Sequence, residues 1–220
     1  MFALAIDTSS PAVTAAVVTV TDGEVALAAA RVPLAARGHG ELLTPSIAGV
    51  LDDAGLAPRD LDAVVVGVGP GPFTGLRVGL VTAAALAHAV DVPAYGVCSL
   101  DAIGVLYPDD PALLVATDAR RSEVYWARYE FGRRVGDPGV ARPADVPTDG
   151  LSAVAGAGAE LHAEAWPGLD RRPGRYPDPV ALVGLAAERI GSAAPSDPLT
   201  PLYLRRPDAV VPGAPKAVRQ

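Results

Sequence analysis

Two aspartates of this chain stand where a carboxylate can bind a metal ion or cap a turn. Asp7 and Asp118 each end an apolar run, and each is followed by a short polar turn. A carboxylate in this place can hold a hydrated magnesium ion, or it can accept hydrogen bonds from the backbone of the turn. Turn capping is the commoner arrangement, so the sequence favours a structural role for both residues.

A glycine-proline loop at residues 69–72 is the second feature with a chemical interpretation. It separates the β-branched run 64–66 from a predicted helix at 76–90, and Thr74 is placed to cap that helix. Backbone N–H groups at a helix N-terminus attract anions. The loop has no P-loop lysine and lacks the glycine spacing of a dinucleotide fingerprint, so a tight turn explains it equally well. The candidate nucleotide or anion site comprises Asp7, Thr8, Gly69, Gly71, Thr74 and Asp118.

Three histidines and one cysteine are the remaining groups that metal or nucleophilic chemistry would use. His39, His88 and His162 lie on separate predicted elements, so no pair has metal-ligand spacing. Cys98 follows an apolar, strand-like run, where a lone thiol is usually inert core. The sequence contains no Gly-x-Ser-x-Gly elbow. We therefore expect no catalytic residue, no metal site and no cofactor.

Composition limits the partners and the location that we expect. The 220 residues carry a formal net charge of −7, with an isoelectric point near 4.9. An acidic protein binds a polyanion poorly by itself, and arginine pairs such as Arg120 with Arg121 are interpreted as solvated turns. The single cysteine fits a reducing compartment, Asp7 interrupts the N-terminal apolar run, and no later run approaches the length of a membrane span. These features predict a cytoplasmic protein without membrane contact.

Two apolar helices offer a surface to a partner. Gly75, Gly79, Ala83 and Ala87 recur every four residues in the helix after the loop, and a stripe of small side chains lets another backbone approach closely. A helix that is apolar nearly all round needs cover on more than one side. A second predicted helix, 40–54, carries apolar residues at helical spacing. We expect partner contacts from His39, Leu43, Ile47, Val50, Leu51, Leu76, Arg77, Gly79, Leu80, Ala83 and Ala87.

A repeated pattern predicts two related halves. A meander of strands at 2–6, 13–20 and 25–32 opens the chain, and its start recurs at 113–117 and 124–129. In both copies the second strand begins at the same distance beyond the aspartate. The second half has no room for a helix like 40–54, and a late helix is predicted at 179–190. The expected division is an N-terminal subdomain (1–107), a smaller C-terminal subdomain (108–206) and a flexible tail (207–220).

Four motifs, in order along the chain, resemble one known family. They are Ala5-Ile6-Asp7-Thr8-Ser9; Gly69-Pro70-Gly71-Pro72-Phe73-Thr74-Gly75-Leu76-Arg77-Val78-Gly79; Asp118-Ala119-Arg120 with Glu123-Val124-Tyr125-Trp126-Ala127; and Pro201-Leu202-Tyr203-Leu204-Arg205. The aspartate-ended strand pairs resemble the actin, sugar kinase and Hsp70 ATPase class of fold. Within that class the ordered motifs resemble the TsaB family, formerly YeaZ. The resemblance implies an α/β protein with a duplicated actin-like, RNase H-like fold, whose two subdomains each have a mixed sheet and flanking helices.

The resemblance also implies a role in making N6-threonylcarbamoyladenosine (t6A) in tRNA. In this family the transfer belongs to a paralogue, TsaD, with TsaE as an ATPase in the same assembly. The chain is then expected to be a non-catalytic scaffold that docks a TsaD-like paralogue and forms a homodimer when alone. It is expected to meet tRNA only through the assembly.

Two absences agree with a non-catalytic role. Where TsaD has its His-x-x-x-His metal pair, residues 96–103 of this chain contain no histidine. The turns after Asp7 and Asp118 also lack the glycines with which ATPases of this fold class approach phosphates. The alternative is a stand-alone ATP-dependent enzyme or hydrolase of the same fold.

Overall fold

The strands of the first half form one five-stranded mixed sheet. The structure is a computed structural model that describes residues 1–35 and 38–205. The strands are β1 (Phe2–Asp7), β2 (Thr14–Thr21), β3 (Glu24–Arg31), β4 (Ala63–Gly67) and β5 (Ala94–Val97). Their order is β3-β2-β1-β4-β5, with the expected antiparallel meander on one side and parallel β1, β4 and β5 on the other. The β2-β3 hairpin turns at Asp22 and Gly23, both with the positive φ that suits a two-residue turn.

A second five-stranded sheet repeats this arrangement. Its strands are β6 (Leu113–Asp118), β7 (Val124–Glu130), β8 (Arg133–Ala141), β9 (Ala153–Ala155) and β10 (Asp170–Arg171). The strand order is β10-β9-β6-β7-β8. Taken from the other edge, as β8-β7-β6-β9-β10, it matches the first sheet strand for strand, and the strand directions agree as well. Asp7 pairs with Thr14 in one sheet, as Asp118 pairs with Val124 in the other. The expected duplicated α/β fold is confirmed.

The helices are α1 (His39–Ala54), α2 (Phe73–Val90), α3 (Asp101–Gly104), α4 (Ala157–Leu161), α5 (Pro179–Gly184) and α6 (Ala187–Gly191). Helix α1 stops at Gly55, whose left-handed conformation closes the last turn. Helix α2 begins at Phe73 with Pro72 as its N-cap and without a side-chain cap. The predicted capping by Thr74 is therefore wrong, because the helix starts before Thr74, which lies inside the first turn. The carbonyl oxygen of Pro72 accepts the first helical hydrogen bond, from the N–H of Leu76 at 3.0 Å.

Helices cover both faces of the first sheet. On one face, α1 and α2 pack Leu43 and Leu76 against Leu4, Ile6 and Val64 of the strands. On the other face, α3, α5 and α6 supply the cover. Because both faces are buried, β4 is apolar along its whole length instead of alternating.

The end of the described chain returns to the first sheet. The predicted late helix, 179–190, is two short helices, α5 and α6, and both pack on the first sheet. The proposed C-terminal subdomain, 108–206, therefore includes a segment that packs on the other half. The proposed tail, 207–220, lies outside the described residues.

Helix α2 is long and apolar enough, by length and composition alone, to cross a membrane. This finding corrects the expectation that no run approaches that length. Core helices of globular proteins pass the same test. The inner side of α2, including Leu76, Leu80 and Ala83, packs on the first sheet, and this burial accounts for much of its apolar composition.

Candidate functional site

Asp7 joins three segments at the end of β1. Its Oδ1 accepts hydrogen bonds from the backbone N–H of Ser9 (2.9 Å) and from the Ser9 hydroxyl (2.7 Å). Its Oδ2 accepts from the Ser99 hydroxyl at 2.6 Å, and the Ser99 oxygen accepts from the Gly69 N–H at 3.2 Å. Burial raises the pKa of the Asp7 carboxyl, although these hydrogen bonds act to lower it. Both carboxylate oxygens are thus used to hold the turn and the glycine-proline loop.

Glycines at the end of β4 and in the loop let this segment pass close to the turn after β1. A Cβ on Gly71 would lie 2.5 Å from the carbonyl oxygen of Ser9, and a Cβ on Gly67 would overlap the Asp7 carboxylate. Gly69 has a φ of 92°, which an L side chain rarely adopts. The loop is therefore a tightly packed connection from strand to helix.

Thr8 reaches into helix α2. Its hydroxyl donates to the carbonyl oxygen of Gly75 (2.8 Å) and accepts from the N–H of Gly79 (3.0 Å), two groups that an α-helix normally joins directly. A Cβ on Gly79 would overlap this hydroxyl, and a Cβ on Gly75 would lie 2.9 Å from the Thr8 carbonyl oxygen. The small residues at 75 and 79 therefore admit the β1 turn and not a partner's backbone.

A cavity of about 480 Å³ brings together Thr8, Thr74 and Asp118 from the candidate anion site. Asp7, Gly69 and Gly71 do not line it. Asp118 Oδ1 accepts from the N–H of its own turn at Arg120 (2.8 Å), so this aspartate also caps a turn. A second cavity of about 380 Å³ shares Asp118.

The charges around the larger cavity are mixed. Two carboxylates, Asp118 and Glu41, line it together with the Arg120 guanidinium, which lies 3.9 Å from Asp118. His39 lines it too, with Nε2 at 2.9 Å from the carbonyl oxygen of Ser10. A phosphate placed here would face both carboxylates, so the cavity is a poor phosphate site.

Most of the residues expected to contact a partner lie in the chain's own core. The small-residue stripe faces the turn at Thr8 and the first sheet, and Ala83 is 0% exposed. This corrects the expectation of direct contact, because the side chains are already covered by the same chain. Arg77 is exposed and His39 is partly buried. The covered residues are Leu43, Ile47, Val50, Leu51, Leu76, Gly79, Leu80, Ala83 and Ala87.

The outward side of α2 remains open. Val81 is 67% exposed and Phe73 is 43% exposed. A shallow hollow of about 470 Å³ on this side also includes Gly40 at the start of α1. Its lining is Gly40, Phe73, Thr74, Arg77, Val78, Val81 and Thr82.

Arg77, one of the residues expected to contact a partner, lies against aromatic groups of its own chain. Its Nε–H donates to the hydroxyl of Tyr203 at 2.8 Å, and its guanidinium carbon lies 3.6 Å from the centroid of the Phe73 ring. Sequence reasoning missed Tyr203 as a site residue, although it lies in the last of the family motifs. Ser99, the partner of Asp7, had no comparable signal.

The groups that metal or thiol chemistry would need stay apart or buried. Within residues 1–35 and 38–205, no group of three or more His, Cys, Asp or Glu side chains could hold a metal ion. Cys98 is buried, and this burial raises the pKa of its thiol to about 11. The reactive thiolate is therefore scarce at neutral pH.

Comparison with known proteins shows the family. A family model described as TsaD, tRNA N6-adenosine threonylcarbamoyltransferase, matches residues 32–191. The chain is 36% identical over 130 residues to the tRNA threonylcarbamoyladenosine biosynthesis protein TsaB of Escherichia coli, covering 58% of this chain and 54% of that protein. Its structure matches YeaZ from Pseudomonas aeruginosa with a TM-score of 0.75 at 28% identity, over 92% of this chain and 99% of the other. The chain belongs to the TsaB/YeaZ family. The match to the TsaD model fits a paralogous relationship between the two families.

Mycobacterial proteins are more similar in sequence. The chain is 52% identical over 206 residues, 94% of its length, to uncharacterized proteins of Mycobacterium tuberculosis and Mycobacterium leprae. It spans 92% of the first protein but only 55% of the second. The M. leprae relative is thus considerably longer than this TsaB/YeaZ chain.

Proposed function

We propose that this chain is a non-catalytic subunit of the t6A machinery that docks and supports a TsaD-like transferase. The observation that carries the proposal is the similarity to E. coli TsaB, whose name assigns it to tRNA threonylcarbamoyladenosine biosynthesis. The match to the TsaD family model supports a paralogous partner with the same duplicated fold. In this proposal the transfer reaction belongs to the paralogue.

The docking face is the outward side of α1 and α2. The inner sides of both helices are covered by the first sheet, so only the outer sides are open to another molecule. Val81 and Phe73 are exposed apolar groups there, and the exposed small residues Ala84 and Ala85 leave room for a close helix contact. A paralogue of the same fold has an equivalent helix pair, and packing the two pairs together would bury both apolar faces. A second copy of this chain can occupy the face when the paralogue is absent.

The non-catalytic role is supported by how the candidate chemical groups are used. Asp7 is buried with both oxygens hydrogen-bonded, and Asp118 caps its own turn. Two carboxylates line the larger cavity, which disfavours a nucleotide phosphate. Cys98 is buried with a raised pKa.

The wider assembly follows from the family resemblance. A TsaE-like ATPase joins the same complex, and the chain meets tRNA only through that complex. The location is the cytoplasm, where tRNA is modified. The subdomain division at residues 107 and 108 stays part of this proposal.

Calorimetric titration tests the proposal against its alternative. The purified chain is titrated with the TsaD-like protein of the same organism and, separately, with ATP and magnesium. We expect saturable heat with the protein and, with ATP and magnesium, neither tight binding nor hydrolysis. Tight binding or turnover of ATP without a partner would instead favour the stand-alone enzyme, and absence of binding to the TsaD-like protein would contradict the docking role.

A further inference from the structure

A groove of about 350 Å³ forms where three separate parts of the chain meet. They are the loop before α2, the turn after Asp118 and the segment 203–205. Three of the four motifs that carry the family resemblance therefore converge here, and Phe73 is the one groove residue that the proposed docking face shares. It is lined by Gly71, Pro72, Phe73, Ala119, Arg120, Arg121, Tyr125, Tyr203, Leu204 and Arg205.

Two aromatic rings on its wall are in contact with Arg77 and are partly open to solvent. The ring centroids of Phe73 and Tyr203 are 4.9 Å apart, and the side chains are 43% and 39% exposed. Arg77 fixes both rings, since its guanidinium lies on Phe73 and its Nε–H donates to the Tyr203 hydroxyl. Exposed aromatic rings held in one orientation are the usual platform on which nucleic-acid bases stack.

The charged side chains that line the groove, among the residues that the structure describes, are all arginines: Arg120, Arg121 and Arg205. Asp118, which lies 3.9 Å from Arg120, does not line this groove. Arg205 also pairs with Glu123 and donates to the carbonyl oxygen of Arg120 at 3.4 Å, which ties the last segment to the turn. Guanidinium geometry matches phosphate oxygens.

We propose that this groove binds a nucleotide, with the base against the Phe73 and Tyr203 rings and the phosphate at the guanidinium groups. Its volume suits one nucleotide, since small-molecule sites begin at about 300 Å³. The nucleotide can come from an unpaired segment of RNA or from a free mononucleotide. Identifying the RNA as the tRNA substrate rests on the function proposed above. The turn at Arg120 and Arg121 is then a binding element and not only a solvated turn.

The test uses the full chain alone and fluorescence anisotropy at low salt. The probe is fluorescein-labelled hexauridylate, with uridine monophosphate, a duplex RNA and a hexaglutamate peptide as competitors. We expect saturable binding that Phe73→Ala and Tyr203→Ala each weaken by about tenfold or more. Tyr203→Phe keeps the ring and is expected to bind nearly as the parent does. Phe131→Ala, which removes an exposed ring on the β7-β8 hairpin, is the matched control and should leave binding unchanged.

The competitors distinguish the sources of the nucleotide. If uridine monophosphate displaces the labelled probe at the same concentration as the unlabelled oligonucleotide does, the ligand is a free mononucleotide. If only single-stranded RNA displaces the probe, the ligand is an RNA segment. Equal displacement by hexaglutamate, with no effect of the aromatic variants, would mean charge attraction alone and would overturn the proposal. So would an anisotropy that stays flat up to millimolar protein.

A second readout guards against variants that fail to fold. Photocrosslinking of 5-iodouridine in the same hexamer, followed by mass spectrometry, should place the crosslink on Phe73 or Tyr203 in the unmodified chain. A crosslink elsewhere would contradict the groove. Because neither measurement contains the TsaD-like protein, their failure leaves the docking role standing, and failed docking leaves the groove standing.

Discussion

Val81 and Ala83 lie two residues apart on α2, yet the structure gives them opposite roles. Val81 is 67% exposed on the proposed docking face, whereas Ala83 is 0% exposed against the first sheet. We expect Val81→Asp to weaken docking of the TsaD-like partner without unfolding the chain. Ala83→Trp should destabilise the chain itself, because a large side chain would have to enter a packed core.

The size of the Val81 effect follows from its exposure. Burying two thirds of a valine side chain contributes about 1 kcal/mol, and an unpaired carboxylate in the interface costs about 1–3 kcal/mol more. The total, about 2–4 kcal/mol, corresponds to a roughly 30- to 700-fold rise in Kd. The free energy of unfolding should change by no more than about 0.5 kcal/mol, as is usual for a surface site. Overpacking at Ala83 should cost about 1–3 kcal/mol or more of that same free energy.

Calorimetric titration with the TsaD-like protein measures the Kd, and urea unfolding measures the stability. Phe131→Asp introduces the same charge at an exposed apolar residue far along the chain, on the β7-β8 hairpin, and serves as the control. An unchanged Kd for Val81→Asp would show that the docking face lies elsewhere. A fully stable Ala83→Trp variant would refute the packing argument.

The remaining predictions concern the groups around the β1 turn and the buried thiol. Gly79→Ala should lower the free energy of unfolding in urea despite the better helix propensity of alanine, because its Cβ would overlap the Thr8 hydroxyl; a more stable variant would contradict this contact. Folding raises the pKa of Asp7 above its ordinary 3.8, so the folded state holds that proton more tightly and stability falls as the pH rises beyond 3.8. Asp7→Asn should therefore remove this fall, so the free energy of unfolding of the variant, measured in urea, should rise relative to that of the parent between pH 4 and pH 7. A difference between variant and parent that is the same at pH 4 and at pH 7 would argue against this reasoning. With its thiol pKa raised to about 11, Cys98 should react with a disulfide reagent at pH 8 at least about a hundredfold more slowly in the folded chain than in urea; equal rates would show that the thiol is accessible.

Much of the fold could be predicted because the local patterns agree with the tertiary contacts. The run at 64–66 is apolar on both sides of the strand, and Gly55 ends a helix of regular spacing, so strand β4 and helix α1 were predictable. The late helix was predicted as one element because its periodicity is continuous. The break between Gly184 and Ala187 depends on how α5 and α6 pack on the first sheet, which no local pattern reports.

The candidate site was harder to predict, because spacing shows which residues share a face but not what covers that face. The small-residue stripe was correctly placed on one side of α2, yet Thr8 and the chain's own sheet occupy that side. The partner of Arg77 could not be found either, since Tyr203 is 126 residues away in the sequence and meets the helix only after folding. The proposed docking residues therefore rest on which side chains the folded chain leaves exposed.

Reconstitution of tRNA modification tests the central claim most directly. The TsaD-like transferase, the TsaE-like ATPase, the synthase that makes threonylcarbamoyl-adenylate and unmodified tRNA are combined with and without this chain, and t6A is measured by mass spectrometry of the digested tRNA. The account predicts product in the complete mixture, a large loss when the chain is omitted, and no product when the chain is the only protein present. Equal amounts of t6A with and without the chain would contradict it.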